Sequence, residues 1–182
     1  MKRIIKPEDS LIVKENLHYE NQSQRKRIRE ILEEEQQHFC AYTEERISTT
    51  FAVDVEHFNS SIKGTSQDGY YNWFAVSHKW NIKKPDERWN LYQPILNPVA
   101  EDLEERVIYD DGFYIHKPDD VEAKNLIEFL DLNNDSLIKE RQNYIFSLKD
   151  IAPNINLESH LKKYPINIRF RRALKTEFEF EL

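Results

Sequence analysis

The sequence predicts an α+β chain, mainly helical, on three observations. Glycine is scarce, three in 182 residues, which leaves few of the tight turns an all-β chain uses. Several stretches repeat apolar residues at helical spacing. One stretch, RISTTFAVDVEHF at 46–58, alternates β-branched and polar residues as a short strand or two would. The length suits a single domain over 1–182 with a sizeable core.

In chain order, residues 23–38 place Ile28, Ile31 and Leu32 on one helical face. Arg and Lys stand near the start of this helix and Glu33, Glu34 and Glu35 near its end, against the macrodipole, so packing must stabilise it. After the alternating stretch, KGTSQDG at 63–69 is a loop. YYNWFAVSHKWNIKK at 70–84 reads as a turn feeding a short helix of about three turns. Pro85 and Pro94 mark the next segment. A helix is expected from Asn97, with Asn as cap and Pro98 at the first helical position. YDDGFYIHK at 109–117 reads as a strand or hairpin around Gly112. DDVEAKNLIEFLDL puts Asp119 and Glu122 at capping-box spacing, then Leu126, Ile127 and Leu130 on one face. Helices follow near 136–148 and in NLESHLKKY. The closing TEFEFEL alternates like an edge strand, and the part from about 97 to 182 is otherwise helical.

Composition narrows the function. No run reaches the roughly 18 apolar residues of a membrane helix, and the first residues lack the apolar core of a signal peptide, so a cytoplasmic protein with no membrane partner is expected. The single cysteine, Cys40, excludes an internal disulfide and suits a reducing compartment. Net charge is −7, the wrong sign for a chain that grips polyphosphate unaided. Any nucleic-acid contact is therefore local or shared with a partner. Two basic stretches stand out, QRKRIRE at 24–30 and KKYPINIRFRRALK at 162–175. Either serves equally as a solvated face.

The constellation that bears chemistry is Glu56 and His57 with Asn72 and Asn81. Adjacent residues of a strand diverge, which is awkward for two ligands of one ion but suits two jobs at one phosphate. A carboxylate can hold a divalent cation while an imidazole activates water, the two parts phosphodiester hydrolysis needs. The other imidazole nitrogen must donate to a group that fixes the tautomer, commonly a backbone carbonyl. Asn72 would pin the loop supplying it, and Asn81 would return on a helix as an oxygen ligand. Such hard donors favour Mg²⁺ or Mn²⁺.

This pattern, DVEHF at 54–58 followed by Asn72 and Asn81, resembles the ββα-metal core of HNH endonucleases. NWFAVSHKWNIKK at 72–84 is similar to that family's stretch running from the middle Asn to a trailing Lys. FCAYTEERI at 39–47 resembles the opening of the HNH proteins of retron and Septu anti-phage systems. DGFYIHKPDDVEAKNLIEFLDLNNDSLIKER resembles their downstream helices, with Leu130, Leu132, Asn133, Leu137 and Arg141 as the matching run. The likeness covers roughly 24–145 and implies an HNH core at about 39–90. It implies Glu56 and Asn81 as metal ligands, His57 as general base and Asn72 as the residue orienting it. Asp54 would support the metal through water. His78 is a further candidate ligand, although a solvent-facing role is the plainer one. Lys83 and Lys84 would contact phosphate, with Arg169, Arg171 and Arg172 of the C-terminal basic stretch.

Family members often brace this core with a zinc held by two C-x-x-C pairs. Here those positions are Cys40 and Thr43, then Ser77 and Trp80, so no structural zinc is expected and packing around Trp80 would fill the space. His116 and His160 read as loop surface and as structural, and Cys40 as a core residue. The resemblance further implies a defence effector that cuts DNA or RNA beside an ATPase with an SMC/ABC-like fold, sometimes with a retron reverse transcriptase and its RNA–DNA product. The alternative is an HNH-derived scaffold that binds a partner ATPase or nucleic acid without catalysis.

Overall fold

The computed structural model describes residues 1–47, 52–81 and 86–182, with side chains in the last segment described from 89 onward. Lys83 and Lys84 lie outside the described residues.

Local signals set most of the helices. Helix α1 (Leu11–Lys14) starts at Ser10, whose Oγ accepts the Ile12 N–H at 3.2 Å. Helix α2 (Arg25–Glu35) buries Ile28, Ile31 and Leu32, the face its periodicity predicts. Side chains at both its ends are engaged. Arg25 Nε donates to the Tyr19 carbonyl at 2.8 Å, and Glu35 accepts from the Tyr70 hydroxyl at 2.6 Å. Two antiparallel pairs complete the α+β character. Strand β1 (Val53–His57) pairs with β2 (Trp73–Ser77), Val53 opposite Ser77 and His57 opposite Trp73. Strand β3 (Ile108–Asp110) pairs with β4 (Phe113–Ile115) across a turn with positive φ at Asp111 and Gly112. Gly112 is doubly required there. Its φ is +91°, and an added Cβ would lie 2.6 Å from Gln142 Cγ.

Three elements differ from expectation. Residues 73–77 form β2 rather than helix, and only α3 (His78–Asn81) follows among the described residues. An unbroken buried run such as WFAVS carries no period to separate strand from helix. Asn97 does not start a helix. Its side chain accepts the Val99 N–H at 3.1 Å to close a turn, and helix α4 begins only at Leu103 (Leu103–Arg106). The terminal alternation is not a strand. Residues 171–178 form helix α8 (Arg171–Phe178), bounded by left-handed Phe170 and Glu179.

Helix α5 (Val121–Phe129) is capped by Asp120, one residue later than expected, with Oδ1 accepting the Ala123 N–H at 3.0 Å. Glu122 turns instead to Arg106, 2.7 Å away. Helix α6 (Asp135–Ile151) is capped by Asn134 and helix α7 (Leu157–Lys163) by Asn156. No helix among the described residues is long and apolar enough to cross a membrane.

The core joins α2, the β1–β2 pair, α5, α6 and α8 in one buried cluster that includes Leu32, Phe74, Phe129, Leu148 and Leu174. The outer edge of β2 is closed by side chain rather than by a third strand. Gln36, itself buried, donates to the Ala75 carbonyl and accepts its N–H, both at 2.8 Å, and the Ala41 N–H shares that carbonyl at 3.1 Å. The hairpin that carries the candidate residues is thereby fixed against α2.

Candidate active site

The pleat of β1 sends Asp54 and Glu56 to one side and Val53, Val55 and His57 to the other. Helix α3 follows β2 without a loop, and the His78 N–H donates to the Ala52 carbonyl at 3.0 Å, which brings the helix back beside β1. Asp54 Oδ2 then lies 2.7 Å from His78 Nδ1 and accepts from Asn81 Nδ2 at 2.9 Å. Asp54 is therefore the residue that Asn81 meets, where the resemblance assigns it only an indirect part. His78, half exposed, joins it. Glu56 is buried on the Asp54 side of the strand, opposite Phe74.

The oxygen donors of Asp54, Glu56 and Asn81 suit a hard divalent cation in their chemistry. Among the described residues no three His, Cys, Asp or Glu side chains cluster as a metal-holding set. An ion here would draw on the Asn81 amide and on water to complete its shell.

His57 lies on the opposite side, 4% exposed. Its Nδ1 is 2.8 Å from Asp68 Oδ2. Its ring meets Tyr19 edge-on at 4.9 Å between centroids and Trp73 at 6.1 Å. Asp68 is gripped from several directions. Oδ1 accepts from Asn72 Nδ2 at 2.9 Å and from Trp73 Nε1 at 2.8 Å, while Oδ2 accepts the Gly64 N–H at 3.1 Å. Burial opposes ionisation of this carboxyl. The hydrogen bonds from Asn72, Gly64 and Trp73 and the adjacent His57 outweigh it and hold the carboxyl below its ordinary range.

Asn72 ties down the chain that follows the base candidate. Its Oδ1 accepts the Asn59 N–H at 2.8 Å, its Nδ2 also approaches the Asn59 carbonyl at 3.2 Å, and its own carbonyl accepts the Phe58 N–H at 2.9 Å. Sequence reading missed Asp68. It stands in a polar loop four residues before Asn72, and no spacing rule marks a loop acid as the neighbour of a strand histidine.

A cavity of about 600 Å³ borders His57 and Asp68, with Arg25, Lys63, Tyr19 and Trp73 in its wall. A second hollow of about 370 Å³ lies by Asn72, lined by Phe58, Asn59, Tyr70 and Trp89 among others.

The four positions where the resemblance would put zinc ligands meet in two pairs, Cys40 with Ser77 and Thr43 with Trp80 through Glu45. The Ser77 N–H donates to Cys40 Sγ at 3.4 Å. Glu45 Oε2 accepts from Trp80 Nε1 at 2.9 Å and from Thr43 Oγ1 at 3.3 Å, and its Oε1 accepts from Arg169 at 3.2 Å. Trp80 is thus held by a polar clasp as well as by packing.

The C-terminal arginines are occupied within the fold. Arg169 reaches Glu45 and Glu140. Arg171 is buried, with its guanidinium 4.2 Å from the Phe39 ring centroid and donating to Gln37 Oε1 at 2.6 Å. Arg172 donates to the Glu104 carboxylate at 2.9 Å and to the Glu104 carbonyl at 2.6 Å. These contacts tie Arg171 and Arg172 of α8, and Arg169 just before it, to the rest of the fold.

No protein-family model matches the chain, and no curated protein or solved structure matches it.

Proposed function

We propose that the chain is a metal-dependent endonuclease that hydrolyses phosphodiester bonds in nucleic acid, of the HNH kind its sequence resembles. The observation that carries the reading is the joint behaviour of the separated motif residues. Asn81 returns to Asp54, while Asn72 ties down the loop that follows His57 and grips the carboxylate beside that histidine.

In this reading His57 is the general base, taking a proton from the attacking water at Nε2. Asp54, Glu56 and Asn81 would hold a Mg²⁺ or Mn²⁺ ion. When bound, the ion supplies a Lewis acid for the charge that develops on the leaving oxygen. The base and the ligands diverge from neighbouring positions of one strand, which fits their separate tasks on either side of one phosphate. In this reading Lys63, in the wall of the cavity at His57, would meet a backbone phosphate, with Arg25 beside it. The acidic balance of the whole chain calls for a partner to supply the rest of a basic path. The resemblance suggests an SMC/ABC-like ATPase in that part, sometimes with a retron reverse transcriptase and its RNA–DNA product, in an anti-phage setting.

A second reading, a scaffold that docks a partner or nucleic acid without cutting, draws on the burial of His57 behind Tyr19. One experiment separates the two. Plasmid DNA and total RNA are incubated with the protein, any co-purifying partner, nucleotide and Mg²⁺ or Mn²⁺, using wild type and His57→Ala. The expected result is cleavage by wild type and a loss of about 100-fold or more in the variant, with its circular dichroism unchanged. Equal cleavage by the variant would remove His57 as base. An inactive wild type under all these conditions would favour the scaffold.

A further inference from the structure

We infer that Asp68 is a positioning residue for His57: its carboxylate accepts a hydrogen bond from Nδ1–H and so fixes the tautomer that leaves Nε2 as the basic nitrogen. The inference rests on the nuclease reading for its kinetic consequence, but not for its structural one.

Asp68 Oδ2 lies 2.8 Å from Nδ1, and Asp68 is itself held by groups from both sides of its loop. Asn72 Nδ2 and Trp73 Nε1 both donate to Oδ1, and the Gly64 N–H donates to Oδ2. All three can only donate in these contacts, so the oxygens facing them must accept. A carboxylate meets that demand at both oxygens and still accepts from His57. The same hydrogen bonds hold the carboxyl below its ordinary range, so near neutral pH it is a carboxylate that cannot donate, and Nδ1 carries the proton of a neutral ring. The Tyr19 and Trp73 rings confine the imidazole on its flanks, so its orientation and its tautomer are both determined by neighbours.

The same geometry predicts what Asp68→Asn does. The two donors on Oδ1 keep an oxygen there, so the new amide NH₂ must occupy the Oδ2 position. It then points donor protons at the Gly64 N–H and at His57 Nδ1. The ring answers by accepting at Nδ1 and carrying its proton on Nε2, where it can no longer act as base. An acid-to-amide change that inverts a catalytic imidazole in this way costs about 10⁴-fold in kcat in the serine-protease triad.

The test is long-range proton–nitrogen NMR on the full chain with Mg²⁺, at a pH where the ring is neutral. The six histidines are assigned with the aid of the His57→Ala spectrum. Wild type is expected to show His57 as the Nδ1–H tautomer and Asp68→Asn as Nε2–H. In the cleavage assay the variant should lose about 10²- to 10⁴-fold in kcat with KM within about 3-fold, since substrate contacts are untouched. A purely structural role would leave the tautomer unchanged. Wild-type His57 in the Nε2–H form overturns the inference whether or not Asp68→Asn folds, and so does a variant that keeps the wild-type tautomer or the wild-type kcat. Because the tautomer is read without substrate, an inactive protein that carries Nδ1–H would refute the nuclease reading and leave the Asp68 pairing standing.

Discussion

Glu45→Ala tests whether hydrogen bonds have taken over the bracing that the resemblance assigns to zinc. Three interactions are lost. Trp80, buried, loses the acceptor 2.9 Å from its indole N–H, and an indole donor stripped of its partner costs about 1–3 kcal/mol. The 3.3 Å bond from Thr43 contributes about 0.5 kcal/mol. The Arg169 pair is partly solvent-screened and adds about 0.5 kcal/mol. The expected destabilisation is about 2–4 kcal/mol, read as a lower urea midpoint at unchanged slope. Trp80→Phe removes the same donor from the other side. The pair should therefore be non-additive by about 1 kcal/mol or more in a double-mutant cycle. Trp80 lies in α3 between His78 and Asn81, so the Mn²⁺ concentration for half-maximal cleavage should also rise. A Glu45→Ala chain within about 0.5 kcal/mol of wild type, or strictly additive variants, would show that the clasp contributes nothing.

Two further predictions concern stability. Arg141 is fully buried, donating to the Gly112 carbonyl at 2.7 Å and the Leu132 carbonyl at 2.6 Å, so Arg141→Met strands both acceptors. It should cost about 3–5 kcal/mol in urea unfolding, and a loss under about 1 kcal/mol would refute the assignment. Hydrogen bonds from Arg106 hold the Asp120 carboxyl at about 2. A depressed folded-state value stabilises above the unfolded value of about 3.9, and the effect is lost as pH falls through about 2. Asp120→Asn keeps the helix cap, so it should be less stable than wild type at about pH 7 and converge with it below about pH 2. A gap that persists at the acid end would place the effect elsewhere.

Much of the helical framework is legible in the sequence because its signals are local. Ile28, Ile31 and Leu32 mark the buried face of α2, and Leu126 and Ile127 that of α5, by spacing alone. Strand β2 is not legible, because each residue from Trp73 to Val76 is buried and alternation needs a solvent face. The last stretch fails for the opposite reason. TEFEFEL alternates, yet Phe178 and Phe180 stack on each other and the backbone up to Phe178 is helical. Alternation describes a strand only where a partner edge is at hand. At the candidate site, Glu56, His57, Asn72 and Asn81 can be chosen from type and spacing. The partnership of Asp68 with His57 depends on how one polar loop folds back, which no local pattern encodes.

Glu44 ties three distant parts of the chain together. This buried, left-handed residue accepts the Lys2 N–H at 2.9 Å, the Tyr114 hydroxyl at 2.6 Å and the Arg172 N–H at 2.8 Å. Its neighbour Glu45, on which Trp80 hangs, waits for Arg169. Closing contacts over such separations is slow and comes late. Through Trp80 and Glu45, helix α3 is thus tied to Arg169, a residue far along the chain, so its setting beside the hairpin depends on a contact of high sequence separation.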